Sequence, residues 1–581
     1  MKRGSPYPVV SLHPRAAAAA FALCLAWSVP AGANSVSGAY LAGRQAAFDS
    51  NFDAAARYFG RALAVDSDNP ELMENVALSQ LALGRIDRAL PAARQMEELG
   101  LRNQIAHMVV VADLIERGEY DALLARESES QGIGPLVDGL LKGWALLGSG
   151  SLERALAQFD AVADEKGLRG FALYHKAMAL ASVGDYAGAE AVFSGKDGVQ
   201  AMISRRAALA RAEVLSQLDR NADALEMIAE AFGAAFDPGV TSLADRLAAG
   251  EKLPFSQVRS ARDGAAEVFY TVGAALSGET ADDYTLLYAR LAGFLNPDHI
   301  DALILSANLL ERMGQFDLSV ATYKQVPQDD PDRYAAELGR SEALRRAAKP
   351  NAAIEVLERL AQDYPTLPQV HTSLGDLLRQ EERYDEAVAA YDKALQFSEE
   401  GAPNRWFVLY ARGISHERLK HWDKAEADFR AALALNPDQP QVLNYLGYSL
   451  VERRTDLDEA LGMIERAVAA RPDSGYIVDS LGWVLFRLGR YGEAVEPMEK
   501  AVELMPVDPV VNDHLGDVYW AVGREREAEF QWRRALSFVA ADDPDGEADP
   551  ARIRRKLELG LDRVLAEEGA EPLVKMANGG H

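Results

Sequence analysis

Between residues 366 and 536 the apolar positions fall into stretches of about a dozen residues with helical spacing, i, i+3, i+4, separated by short polar turns. The stretches recur in pairs. Glycines stand at 375, 413, 447, 482 and 516, spaced 38, 34, 35 and 34 apart. Alanines stand at 387, 425, 460, 494 and 528, and again at 394, 432, 467, 501 and 535, both series spaced 38, 35, 34 and 34 apart. Prolines at 437, 472 and 506 close three of the units. The pattern predicts five consecutive helix–turn–helix units, with the glycine in the first helix and the alanines in the second. A helix-interior glycine costs about 1 kcal/mol against alanine, so "DSLGWVLF" (479–486) needs a reason for Gly482. Small residues let paired helices approach closely, and Gly482 is expected to face Ala494 and its neighbours.

The same pattern runs more loosely through the rest. Gly43, Ala55, Phe59 and Ala62 form one unit, and Ala77, Gly84 and Ala89 another. Residues 143–159 and 176–193 add two, with degenerate copies near 104–130 and 200–233. The stretch 234–262 loses the pattern, which resumes at 266–297, 306–323 and 334–365. Beyond an acidic stretch, "ADDPDGEAD" (541–549), Ile553, Leu557, Leu561, Val564 and Leu565 line one face of a helix expected over 550–569. A repeat array needs an amphipathic cap at its end. The expected organisation is a targeting segment 1–33, a repeat lobe 34–233, a divergent connector 234–265, a second lobe 266–540 and a linker, capping helix and tail over 541–581.

A 34-residue helix–turn–helix with small residues at these places resembles the tetratricopeptide repeat. The resemblance covers about residues 34–540 and implies an all-α, right-handed solenoid of about 10–14 units that binds protein segments, usually without catalysis. It also implies that the first helix of each unit, helix A, lines a concave groove. Applied to this chain, the register puts Tyr410, Tyr448, Trp483, Phe486 and Trp520 there as an aromatic strip beside Asp376, Asp479, Asp513 and Asp517. Asn444, Glu417, Arg418 and Val510 share groove positions, with Tyr476 and Arg487 flanking. The alternative for Trp483, Phe486 and Trp520 is packing between adjacent A helices. Grooves of this family that clamp an acidic C-terminus use lysine, arginine and asparagine, whereas one key position here holds Asp376, Ile414, Tyr448, Trp483 and Asp517. A neutral or basic, partly apolar partner segment is therefore expected. The last three repeats look similar to envelope tetratricopeptide proteins of Gram-negative bacteria. One such group comprises outer-membrane lipoprotein adaptors that activate a carboxyl-terminal processing protease and bring it substrates.

Charge and the N-terminus add a compartment. The 581 residues carry a formal net charge of −27, which disfavours nucleic acid and anionic membrane as partners. Lys2, Arg3 and Arg15 precede the apolar run "AAAAAFALCLAW" (16–27), and "AGA" (31–33) offers a small-x-small cleavage site. Cleavage after Ala33 and export to the periplasm are expected, leaving no cysteine, since Cys24 is the only one. Leu23 fills the slot where a lipobox needs a small residue, so lipid anchoring is the lesser expectation. The apolar run is too short to span a bilayer.

Catalytic chemistry is not expected. "HERLKH" (416–421) puts lysine where the second ligand of an H-E-x-x-H zinc site belongs. "GIGPLVDG" (132–139) has the wrong spacing for a dinucleotide turn, and neither a P-loop nor a G-x-S-x-G nucleophile elbow occurs. No metal or cofactor is expected. The function implied is a non-catalytic scaffold or adaptor, or else a structural subunit of an envelope assembly or secretion complex.

Overall fold

The structure, a computed structural model, describes residues 36–195, 204–233, 237–539, 548–570 and 572–573. The basic–apolar N-terminal segment and most of the acidic stretch before the cap lie outside these residues. Among the described residues the regular elements are all α-helices. They form two compact units, one reaching to Val356 and one starting at Leu357, with the boundary inside the helix Pro350–Asp363.

The second unit holds the five regular repeats as helical hairpins. Their A and B helices are Pro368–Gln380 with Tyr384–Phe397, Arg405–Arg418 with Trp422–Leu435, Pro440–Glu452 with Leu457–Ala470, Gly475–Arg487 with Tyr491–Leu504, and Pro509–Ala521 with Glu525–Phe538. Each A helix packs on its own B helix, and each B helix on the next A helix. Three A helices start on a proline, whose missing N–H costs nothing in the first turn. The turn from A to B passes through a left-handed residue in every repeat: Glu382, Lys420, Arg454, Gly489 and Gly523, with φ from 55° to 82°. Only at the last two does glycine remove the strain.

The repeated glycines of helix A are sockets. A Cβ on Gly375, Gly413 or Gly516 would lie 2.5–2.6 Å from the ring of Tyr391, Phe429 or Trp532, each sixteen residues on in helix B. At Gly482 the group admitted is Met498, whose Cγ would be 2.5 Å from an added Cβ. The expected partner was Ala494. That residue is fully buried, but the socket is filled by the longer side chain one turn further along helix B.

The first unit contains eight hairpins among its described residues, so the two units together fall within the expected repeat number. One apolar core joins residues from Ala39 to Val214 with those from Val258 to Leu310, and a smaller separate cluster lies between Ala212 and Leu253. Residues 266–310, expected to open a second lobe, thus share the core of the N-terminal repeats. The irregular stretch before them makes this possible. The Glu213 carboxylate accepts bonds from the Ser256 N–H and hydroxyl at 2.8 and 2.6 Å, fastening the connector as an ordered strap. The helix Ala261–Leu276 then lies on Pro135–Gly148 and Arg169–Ser182, with Gly264 against the face of Trp144. Fully buried Glu267 locks this return: it accepts from the Tyr174 hydroxyl at 2.7 Å and pairs with Arg206 at 2.8 Å and His299 at 3.1 Å. Burial favours the neutral acid, but Arg206 and His299 outweigh it and hold the Glu267 carboxyl well below the usual carboxylate range.

At the C-terminus the expected single capping helix is two, Pro550–Leu559 and Leu561–Glu567. They break at Gly560, which is left-handed at φ 80° and sits against the Trp520 indole, 2.5 Å from where a Cβ would be. No side chain fits there, so the chain bends and continues the apolar face through buried Ile553, Leu561 and Val564.

Candidate protein-binding groove

The A helices of the second to fifth repeats of the second unit border one open groove with a volume of about 640 Å³. Its floor comes from Pro440–Glu452, which contributes Asn444, Tyr445, Tyr448 and Ser449. Tyr476 and Asp479 enter from the next repeat, Val510 and Val511 from the last, and Glu417 and Trp422 from the repeat before. Helical spacing explains the set: 444, 445, 448, 449 and 452 lie along one stripe of a 3.6-residue helix.

The polar groups of the groove differ in how they are engaged. The Asn444 Oδ1 is buried and has no hydrogen-bond partner among the described residues. A buried, unpaired carbonyl oxygen costs about 1–3 kcal/mol, a cost that a ligand N–H removes. Tyr476 is 64% exposed, an unusual state for so large an amphipathic ring and one that suits a contact surface. Tyr445 donates to Glu417 at 3.4 Å and stands edge-on to Tyr410, with ring centroids 5.9 Å apart. Burial and the nearby Glu417 carboxylate push the Tyr445 hydroxyl up from its usual range, so it stays a donor at any physiological pH.

The structure brings Asn444, Tyr448 and Asp479 of the sequence-derived strip into the groove, and places Tyr410 behind it, half-buried against Phe429 and Tyr445. The rest are corrections. Trp483 and Phe486 are buried, stacked on each other at 5.0 Å and nearly parallel. The other face of Trp483 lies 4.0 Å from His514 of the next A helix, and its N–H donates to Glu452 at 2.7 Å. Trp483 is therefore a wedge between A helices, the packing alternative. Trp520 donates to Asp562 at 3.1 Å and is covered by Gly560. Asp513 and Asp517 are buried beneath the cap, where the Lys556 ammonium donates to both at 2.7–2.9 Å. Asp517 also accepts from the Trp532 N–H at 2.9 Å. Asp479 reaches the groove wall but is paired with His514 at 3.0 Å. The acidity read from the sequence is thus spent inside the protein. The physical reason is that the last A helix has no following repeat, and the cap supplies one with a lysine in it.

Tyr445, Trp422, Ser449 and Val511 are groove residues that the register did not select. Tyr445 follows Asn444 directly, and the 100° step between them left it outside the chosen positions although both flank the floor. Trp422 opens helix B and shows no groove signal in sequence.

Among the described residues no three His, Cys, Asp or Glu side chains are placed to hold a metal ion. No helix is long and apolar enough to cross a membrane among those residues.

Family models described as Tetratricopeptide repeat match residues 40–100, 140–195, 304–368, 366–438, 410–474 and 449–509. A TPR repeat-containing protein of Pseudomonas aeruginosa is 28% identical over 173 residues, 30% of this chain and 28% of that protein. Human Protein O-mannosyl-transferase TMTC1 is 24% identical over 168 residues, 29% of this chain and 19% of that protein. The chain thus spans less than a third of the length of these relatives. Among solved structures, the APC/C hetero-tetramer Cut9–Hcn1 aligns with 93% of this chain and 98% of its own, at 14% identity and a TM-score of 0.37. A tetratricopeptide repeat protein from Parabacteroides merdae aligns over 45% of this chain and 98% of its own, at 17% identity and a TM-score of 0.36.

Proposed function

We propose that this chain, which belongs to the tetratricopeptide-repeat family, is a non-catalytic scaffold that holds an extended protein segment in the groove of its second unit. The observation that carries this reading is the pairing of an exposed aromatic, Tyr476, with the buried and unpartnered Asn444 Oδ1 in one concave site. An extended segment supplies a backbone N–H for the asparagine and side chains for the tyrosines. The basic–apolar–"AGA" start supports export with cleavage after Ala33, and in that setting the scaffold serves the cell envelope. The likeness of the last repeats to envelope adaptors supports delivery of substrates to a protease as the specific role.

A photo-crosslinking amino acid placed at position 476 tests the groove, with one at Phe530 as control, since Phe530 is equally exposed at 61% but lies on a B helix. Crosslinks from 476 and not from 530 support the reading, and equal labelling from both refutes it. The captured species separates a protease and its substrates from stoichiometric subunits of an assembly. N-terminal sequencing of the mature protein tests export, and a start other than Asn34 rejects the cleavage site.

A further inference from the structure

The charged groups of this groove come in both signs. Glu417, Arg418, Lys420, Glu452 and Arg453 line it at the C-terminal ends of two A helices and in the turns that follow. Glu417 lies 3.8 Å from Arg418. Glu452 keeps its charge beside the Trp483 N–H and is followed directly by Arg453. The Arg453 guanidinium rests on the Trp422 ring at 4.5 Å and covers that face of the indole. Two further carboxylates lie nearer the N-terminal ends of the A helices. Asp479 is held by His514 at 3.0 Å; burial opposes the charged ring, but Asp479 outweighs it and raises the His514 pKa. Asp508 accepts from the Val510 and Val511 N–H groups at the positive end of its helix. Four carboxylates thus stand with four cationic groups, Arg418, Lys420 and Arg453 in the lining and His514 behind Asp479. A balanced surface exerts little net pull on a ligand of either sign.

The apolar surface is gathered at the other end. Tyr476 and Val510 are the second residues of successive A helices, Gly475–Arg487 and Pro509–Ala521, which touch each other. Both line the groove, Tyr476 exposed and Val510 half-buried, and buried Val511 lines it too. The equivalent place one repeat earlier is Gln441, so this apolar lip belongs to the last two repeats alone. Neighbouring helices pack about 10 Å apart, which leaves room for one bulky side chain between the two lip residues. On Pro440–Glu452, Asn444 with its buried Oδ1 stands eight residues before Glu452, about 12 Å along the helix. The unsatisfied acceptor is therefore set apart from the charged end.

We propose that the groove of the second unit selects a charge-neutral extended protein segment, with one bulky apolar side chain seated between Tyr476 and Val510 and a backbone N–H donated to the Asn444 Oδ1. This rests on the groove being a protein-binding site, and it narrows the neutral or basic segment expected from the sequence to the neutral one. A charged ligand side chain would find its counter-ion already facing a group of its own sign. An apolar side chain at the lip displaces only water from the exposed Tyr476 ring.

The test is selection from a random-peptide phage library on the full chain, followed by affinity measurements with synthetic peptides of the enriched sequence on Tyr476→Ala, Val510→Thr, Glu452→Gln, Lys420→Gln and Phe530→Ala. Tyr476, Glu452, Lys420 and Phe530 are exposed, so their variants keep the fold, and a melting curve checks Val510→Thr. The expected result is enrichment of sequences with a bulky apolar residue and no net charge. Their affinity should fall at least about tenfold on Tyr476→Ala and less on Val510→Thr. It should hold on Glu452→Gln, Lys420→Gln and Phe530→Ala, and it should not weaken up to about 1 M salt, where the screening length is about 3 Å. Charged sequences that weaken on Glu452→Gln or Lys420→Gln, or as salt rises, overturn the neutral selection and leave the groove standing. Apolar sequences that weaken on Phe530→Ala and not on Tyr476→Ala overturn both readings, as does a failure to enrich any sequence.

Discussion

Trp483→Ala separates a wedge from a ligand anchor. The side chain is 9% exposed, stacked between Phe486 and His514, and bonded to Glu452. A buried tryptophan removes about 200 Å² from water, worth about 5 kcal/mol at about 25 cal/mol per Å². A compact denatured state trims this to about 3–4.5 kcal/mol, in line with about 3–5 kcal/mol for Trp→Ala in cores. The expected loss is thus about 4 kcal/mol from the second unit. The lost bond adds little, because Glu452 is exposed and water replaces the indole. Trp483→Phe keeps the stack and should cost little beyond its smaller buried area. Urea unfolding of the full chain by circular dichroism measures the loss, and hydrogen exchange of peptides from residues 475–538 places it. A loss below about 1 kcal/mol with abolished peptide binding would refute the wedge and restore Trp483 to the groove.

Gly482→Leu should cost about 1–3 kcal/mol or more by overpacking, because Met498 already stands 2.5 Å from the first added carbon; an unchanged urea midpoint contradicts the socket. Lys556→Met should strip the cap at neutral pH, leaving Asp513 and Asp517 buried without a cation, at about 3–5 kcal/mol. The defect should shrink in acid, since burial already raises the Asp513 pKa and protonation relieves it; calorimetry at two pH values reads both effects. For His514, burial opposes the charged ring, but Asp479 outweighs it and the pKa is raised. A raised imidazole contributes stability that is fully present below its unfolded pKa of about 6.5 and is lost as pH rises through the higher folded value. The melting-temperature gap between the parent and His514→Gln should therefore narrow from about pH 6 towards pH 9, and a gap that widens contradicts the ion pair.

The five regular repeats were legible because period is a property of sequence alone. Gly375, Gly413 and Gly516 mark sockets whose ring partners stand a fixed sixteen residues away, so pattern and packing coincide. Gly482 keeps the sixteen-residue spacing, but its filler is the flexible Met498, which carries no aromatic signature. The return of residues 261–310 onto the first repeats was not legible. Its determinants, Glu213 with Ser256 of the connector strap and Glu267 with Arg206, are pairs 43 and 61 residues apart in sequence, and nothing in local periodicity links them. Asn444 and Tyr448 line the groove, whereas Trp483 and Phe486 take the packing alternative that the sequence left open. A position that faces the concave side in one helix is covered when the next A helix brings a residue as flat as His514 onto it.

The misplaced aspartates carry a more general consequence for reading a repeat groove. Asp479, Asp513 and Asp517 occupy positions that, repeat by repeat, open towards a ligand, yet each meets a cation that sequence places 35 to 43 residues away: His514 for the first and Lys556 for the other two. A charge inside a solenoid is available to a partner only after its neighbours in the adjoining repeats have been subtracted. Subtraction removes Asp513 and Asp517 and pairs Asp479, whereas Glu452, which accepts only from a neutral indole, keeps its charge at the groove. On this view Trp483→Ala weakens binding only indirectly, through a loosened groove. Tyr476→Ala, which removes an exposed ring of the groove, should act on binding alone, and that difference between the two variants is what distinguishes a groove residue from one that merely holds the groove in shape.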